Sequence, residues 1–165
     1  MRKTVTITYP ADPATVATML ADPAFQRGRV ARLGQDGLDV DVVTRGEGFA
    51  VTVRGTVPAD RLPSAARRFV RGPLSLTLTE SWGEPGDGGR REGRLSAEIS
   101  GAPVHVAATG SMSSDDGART TVVLDLSLDV TVPLVGRALE DRAMGHVDAV
   151  VADEQARATA WLASH

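Results

Sequence analysis

The sequence predicts an α+β domain in which a curved antiparallel sheet of seven strands, in the order β-α-α-β6-α, wraps around a long C-terminal helix. Three observations carry that expectation. Residues 118–132 alternate apolar and polar side chains and run straight into Pro133 and a helix that continues to the C-terminus, about 45 Å of helix at ~1.5 Å per residue. Asp12-Pro13 and Asp22-Pro23 announce two short helices near the N-terminus, each with a side-chain acceptor at the N-cap and proline at the first helical position. Between them and the last helix lie alternating segments joined by short links, which favour antiparallel neighbours. A sheet with its helices gathered on one face is a two-layer domain.

The elements follow in order. Residues 4–9 alternate with Val5, Ile7 and Tyr9 on one face and threonines on the other, the period of a half-buried strand. The two Asp-Pro starts bound helices near 13–21 and 23–33, the second ending before Gly34. Residues 38–42 and 49–53, joined by the turn at 45–48, read as a hairpin. Pro58, Pro63 and Gly72 interrupt the pattern and leave room for a helical turn or two around residues 65–70. Strands then follow at 74–82, 91–100 and 104–113, with a glycine-rich loop at 83–89 whose composition permits mobility. The turn Asp115-Asp116-Gly117 leads into the last strand, where Val122, Leu124, Leu126, Leu128, Val130 and Val132 face one way.

Composition narrows the function classes. At 165 residues, 42% hydrophobic and 24% charged, the chain suits a single domain spanning 1–165 with a substantial core. A net charge of -3 and a pI near 5.6 give no basic surface for nucleic acid. There is no cysteine and no asparagine, so disulfides, thiolate metal sites and glycosylation sequons are excluded. No stretch reaches the ~18 apolar residues of a membrane span, and residues 1–9 form no apolar signal core. A cytoplasmic protein without stable membrane insertion is expected.

The two Asp-Pro starts, the strand run from 38 to 132 and the terminal helix from Pro133 resemble the START-like helix-grip superfamily, also called SRPBCC, which includes lipid-transfer domains, pollen-allergen-like proteins, polyketide cyclases and abscisic-acid receptors. Within it, Val132-Pro133-Leu134-Val135-Gly136 looks most like a family of actinobacterial proteins without assigned activity. The resemblance implies an apolar cavity between the concave sheet face and the last helix. It rests on element order and implies no catalytic motif, so it carries fold better than function.

Projection of the terminal helix at ~100° per residue puts Met144, Val147 and Val151 on the sheet-facing side, together with Glu140 and Glu154. A carboxylate there must be paired, hydrated or protonated. Either it anchors a polar group of a ligand, or helix curvature lets it reach water or an arginine. Glu80 poses the same question on the sheet: it shares a face with Leu76, Leu78 and Trp82 unless a bulge turns it outward. Facing Glu154, it would form a carboxylate pair fit for proton transfer.

The remaining candidates are weaker. His105 falls on the solvent face by alternation, His146 at the edge of the helix's apolar face, and His165 at the end. No pair has metal-ligand spacing, and HExxH, GxSxG and GxxxxGK[ST] are absent, so neither metal nor cofactor is expected. Arg61, Arg67, Arg68 and Arg71 surround Leu62, Phe69 and Val70, a combination that suits either a solvated lid or contact with anionic surfaces and ligand heads. The expected ligand site comprises Phe49, Val51, Leu76, Leu78, Trp82, Met112, Leu126, Met144, Val147 and Val151 as apolar lining, with Glu80 and Glu154 as polar anchors. It would bind a lipid, polyketide or isoprenoid-like molecule. The alternatives are a cyclase or aromatase using a cavity carboxylate, and a surface interaction module with a filled interior.

Overall fold

In a computed structural model that describes residues 1–32, 37–62 and 64–165, the chain forms seven strands: β1 (Arg2–Tyr9), β2 (Asp39–Arg45), β3 (Gly48–Val57), β4 (Leu74–Trp82), β5 (Arg91–Ser100), β6 (Val104–Ser113) and β7 (Thr120–Val130). They make one antiparallel sheet in the order β1-β7-β6-β5-β4-β3-β2. Five of the links are hairpin connections between sheet neighbours. The exception joins β1 at one edge to β2 at the other, and it contains α1 (Pro13–Leu20) and α2 (Pro23–Ala31). These helices therefore cross the concave face between the two edges.

The Asp-Pro signals act as expected. Asp12 Oδ1 accepts from the Thr15 N–H at 3.0 Å and Asp22 Oδ1 from the Ala24 N–H at 2.7 Å, and each proline opens its helix. The hydrogen bonds from the Thr15 hydroxyl and N–H hold the Asp12 carboxyl below the ordinary range. The expected end of α2 near residue 33 falls outside the described residues.

The terminal helix departs from expectation. It is two helices, α4 (Gly136–Gly145) and α5 (Val147–Ser164), meeting at His146. Pro133 does not start it: β7 ends at Val130, and Leu134 takes a left-handed φ of 68° before α4 begins. A Cβ on Gly136 would run into the Val130 carbonyl, so glycine lets the chain fold back closely over β7. Gly145 weakens helical continuity, and the break allows α4 to lie along β7 while α5 packs on β1. At ~1.5 Å per residue, α5 is about 27 Å long, well short of 45 Å.

The two irregular links have local structure of their own. The glycine-rich β4–β5 link closes through Gly83 N–H to Glu92 O at 2.9 Å and Gly86 N–H to Arg90 O at 2.8 Å. The β3–β4 link holds a 3-10 turn at Ala59–Arg61 and a short helix, α3 (Ser64–Arg67).

Pairing register fixes which side chains face inward. Val5 pairs with Leu124, Leu126 with Ala108, Ala108 with Leu95, Leu95 with Glu80 and Glu80 with Val51, so a band of facing side chains crosses the concave face from β1 to β3. The core lies at the end of this face beneath α1, where Tyr9, Met19, Leu20, Phe25, Met112 and Val122 are buried against one another. A second, smaller cluster of Val57, Leu74 and Leu76 lies at the opposite end of β3 and β4. Between the two clusters the inner face is only partly filled.

Candidate functional site

That unfilled region is a cavity of about 420 Å³, bounded by β1, the inner rows of β3 to β7, the end of α2, and the facing parts of α4 and α5. Its volume lies in the range of small-molecule sites. The wall is aliphatic: Val51 and Leu78 contribute from β3 and β4, Ala97 and Val106 from β5 and β6, Leu126 from β7, and Val147 and Val151 from α5.

Its polar end is built from three elements. Glu80 points inward from a regular β4, without the bulge that would turn it outward. Glu154 comes from α5 and is 2% exposed. The two carboxylates do not meet, because Arg29 of α2 stands between them. Its Nη1 donates to Glu80 Oε2 at 2.7 Å and its Nε to Glu154 Oε2 at 3.0 Å. Trp82 Nε1 donates to Glu80 Oε1 at 2.8 Å, and the Tyr9 hydroxyl donates to Glu154 Oε1 at 3.2 Å. Arg32 lies 3.6 Å from Glu154 and 3.3 Å from Asp153, and Arg157 holds Asp153 at 2.8 Å. Gln26 closes the network, donating to Leu20 O at 2.6 Å and accepting from Arg29 Nη1 at 3.1 Å.

This arrangement fixes protonation by mutual support. Burial alone would favour loss of the Arg29 proton, but the adjacent Glu80 and Glu154 charges outweigh it and drive the guanidinium further from deprotonation. Burial, reinforced by the Glu154 charge, pushes the Tyr9 phenol well above its ordinary value, so Tyr9 stays a donor. The expected proton-sharing pair of glutamates is thus replaced by a charge-balanced cluster with an arginine at its centre.

The other expected lining residues take different positions. Phe49 and Trp82 are cross-strand partners, and Met112 pairs with Arg91. These three pack in the main core at the closed end of the sheet. Leu76 belongs to the second cluster, and Met144 is buried without bordering the cavity. The projection assumed one straight helix and strands open along their whole length, whereas the cavity occupies only their middle. Glu140 is also displaced: it accepts from the Val130 N–H at 2.9 Å and lies 3.5 Å from the N-terminal amine. The Val130 N–H holds its carboxyl below the ordinary range. His146 borders the cavity, while His105 sits on the outer face opposite Asp129 and Glu98.

Sequence reasoning missed Arg29, and a signal for it existed. Phe25, Gln26 and Arg29 share one face of α2 by the i, i+1, i+4 rule, and Phe25 and Gln26 are buried. A cation on that stripe facing a sheet with an inward glutamate is an ion-pair candidate. The arginine-rich β3–β4 link is satisfied locally: Arg67 Nε donates to Leu62 O at 2.9 Å and Arg68 stacks 5.1 Å from the Phe69 ring. The outer sheet face carries an open trough of about 810 Å³ between threonine and serine side chains, flanked by Arg94 and Asp125. Among the described residues no acidic and histidine side chains cluster as a metal site, and no helix is long and apolar enough to cross a membrane.

A cavity held between a seven-stranded antiparallel sheet and a C-terminal helix defines the START-like helix-grip fold, and solved structures agree. A START superfamily protein from Mycobacterium smegmatis aligns with 13% identity and a TM-score of 0.52 over 98% of both chains. A protein from Thermus thermophilus aligns with 19% identity and a TM-score of 0.55, covering 97% of this chain and 98% of the other. Norcoclaurine synthase from Thalictrum flavum aligns at 11% identity and a TM-score of 0.56, over 100% of this chain and 88% of its own. At these identities the likeness is one of fold. Residues 4–162 match DUF2505, described as a protein of unknown function, and the chain belongs to that family. No curated protein matches it.

Proposed function

We propose that this domain binds a small apolar or amphipathic molecule, of lipid, polyketide or isoprenoid character, in the cavity between sheet and C-terminal helices, without covalent catalysis. The observation that carries the reading is an aliphatic cavity of about 420 Å³ with its polar groups gathered at one end, the distribution that suits a mostly apolar ligand with one oriented polar group. The ligand's apolar part rests on Val51, Leu78, Leu126, Val147 and Val151, while the Arg29 cluster addresses its polar end. The partner is a small molecule rather than nucleic acid or an inserted membrane, and the working location is the cytoplasm.

The cyclase-type alternative needs Glu80 or Glu154 as a free acid or base. It draws less support, because each of their four carboxylate oxygens already accepts from a protein donor. A surface module with a filled interior sits poorly with the open cavity.

The test is occupancy. Ala97 lies on the cavity wall between Leu78 and Val106, and Ala97→Phe fills the space. Native mass spectrometry after mild purification is expected to show a copurified apolar ligand on the wild type and none on a folded Ala97→Phe. Ligand-free wild type that also takes up no added hydrocarbon sinks the reading.

A further inference from the structure

The donors and acceptors of the Arg29 cluster are unevenly used, and this unevenness selects a ligand. On the acceptor side, Glu80 receives Trp82 and Arg29, and Glu154 receives Tyr9 and Arg29, with Arg32 an ion-pair neighbour at 3.6 Å. On the donor side, Arg29 directs Nε to Glu154 and Nη1 to Glu80 and Gln26. Nη2 has no hydrogen-bond partner among the described residues, yet it is not one of the buried orphan atoms, of which Arg91 Nε is the example found. Arg29 itself borders the cavity. The polar end of the cavity therefore offers the N–H donors of a guanidinium whose charge is already balanced.

Charge narrows the choice further. Arg29, Arg32 and Arg157 face Glu80, Glu154 and Asp153, three positive groups against three negative. A ligand carboxylate would add a negative charge that nothing buried offsets. A ligand ammonium would add a positive charge where each carboxylate is already paired with an arginine. A neutral oxygen acceptor meets neither penalty and satisfies the idle donors.

From this, resting on the ligand-binding reading above, we infer that Arg29 is the specificity-determining residue of the cavity and that it selects uncharged apolar molecules bearing a ketone, ester or similar oxygen acceptor over both plain hydrocarbons and carboxylates. The glutamates then act as positioning residues for Arg29 and do not touch the ligand's polar group themselves.

Equilibrium dialysis of the full chain against naphthalene, 2-acetylnaphthalene and 2-naphthoate tests this. The ketone is expected to bind about tenfold tighter than the hydrocarbon, the increment of one hydrogen bond from a charged donor, and tighter than the carboxylate. In Arg29→Lys the shorter point-charge head stays between the two carboxylates and presents no planar fork to the cavity. The ketone's advantage over naphthalene, measured as a ratio within the same variant, should fall to about onefold. The wild-type series decides the matter even if that variant fails to fold. Equal binding of hydrocarbon and ketone, or tightest binding of the naphthoate, overturns the selectivity and leaves the cavity reading standing. No binding by any of the three, the hydrocarbon included, overturns both.

Discussion

Glu140 on α4 and Glu154 on α5 look alike in the sequence, fourteen residues apart and so only ~40° apart around an ideal helix, yet the fold uses them in opposite ways. The Glu140 side chain is 17% exposed, and it finishes the C-terminal end of β7 by taking the Val130 N–H and the N-terminal amine. The Glu154 side chain is 3% exposed and sits in a cluster that spans α2, β1, β4 and α5. The break at His146 separates them: α4 follows β7, α5 turns across β1, and only the second helix carries its carboxylate to the polar end of the cavity. One residue of broken helix decides whether a carboxylate finishes a strand end or is buried.

The comparison can be broken most severely at Glu154. Glu154→Gln removes one charge from a buried ion-pair cluster, which costs about 3 kcal/mol, and thermal unfolding should show a midpoint about 6–12 °C lower. A loss no larger than that of a surface substitution would mean that the two glutamates do not differ as described.

Tyr9→Phe sharpens the picture from the other partner. Loss of the hydroxyl's bond to Glu154 is expected to cost about 1–2 kcal/mol at neutral pH. The phenol is raised above its ordinary value in the folded protein, first by burial and then by Glu154. Its contribution is therefore complete below pH ~10, the value in unfolded chains, and is lost as pH rises through the folded value. Wild type should weaken on the alkaline side, and Tyr9→Phe should show less of that weakening. Tyr9 is the only tyrosine, so phenolate absorbance reports on this group alone, and its appearance before any loss of structure would contradict the assignment.

Glu140→Gln gives the smallest effect, a slight drop in unfolding midpoint, smaller than that of either other variant. Here the sign is reversed. The folded carboxyl is lowered by the Val130 N–H, so its contribution is present above the ordinary carboxylate range and lost as pH falls through the folded value. The difference between wild type and Glu140→Gln should close in acid. A difference that persists there would point to packing in place of charge.

The same contrast explains what could be read from the chain. Strand alternation and the Asp-Pro caps are local, so the seven strands, both N-caps and the inward direction of Glu80 were legible from neighbours a few residues away. The Arg29 cluster joins groups 51 and 125 residues apart, and no local period encodes that meeting. The helix break was missed because Gly145 alone is tolerated within a helical pattern. The placement of Phe49, Trp82 and Met112 in the core followed from where the sheet closes, a property of the whole array that no strand carries by itself.

The edge-to-edge excursion of α1 and α2 also has a consequence for how the molecule comes into being. Residues 39–130 can zip up hairpin by hairpin, but β1 can join only after β7 exists, and Met1 meets Leu128 across 127 residues of chain. The β1–β7 pairing is thus the longest-range pairing in the sheet. Arg29 likewise meets Glu80 and Glu154 across 51 and 125 residues, so closure of the sheet edge and assembly of the cavity's polar end both depend on long-range contacts, the kind that topology makes slow to form.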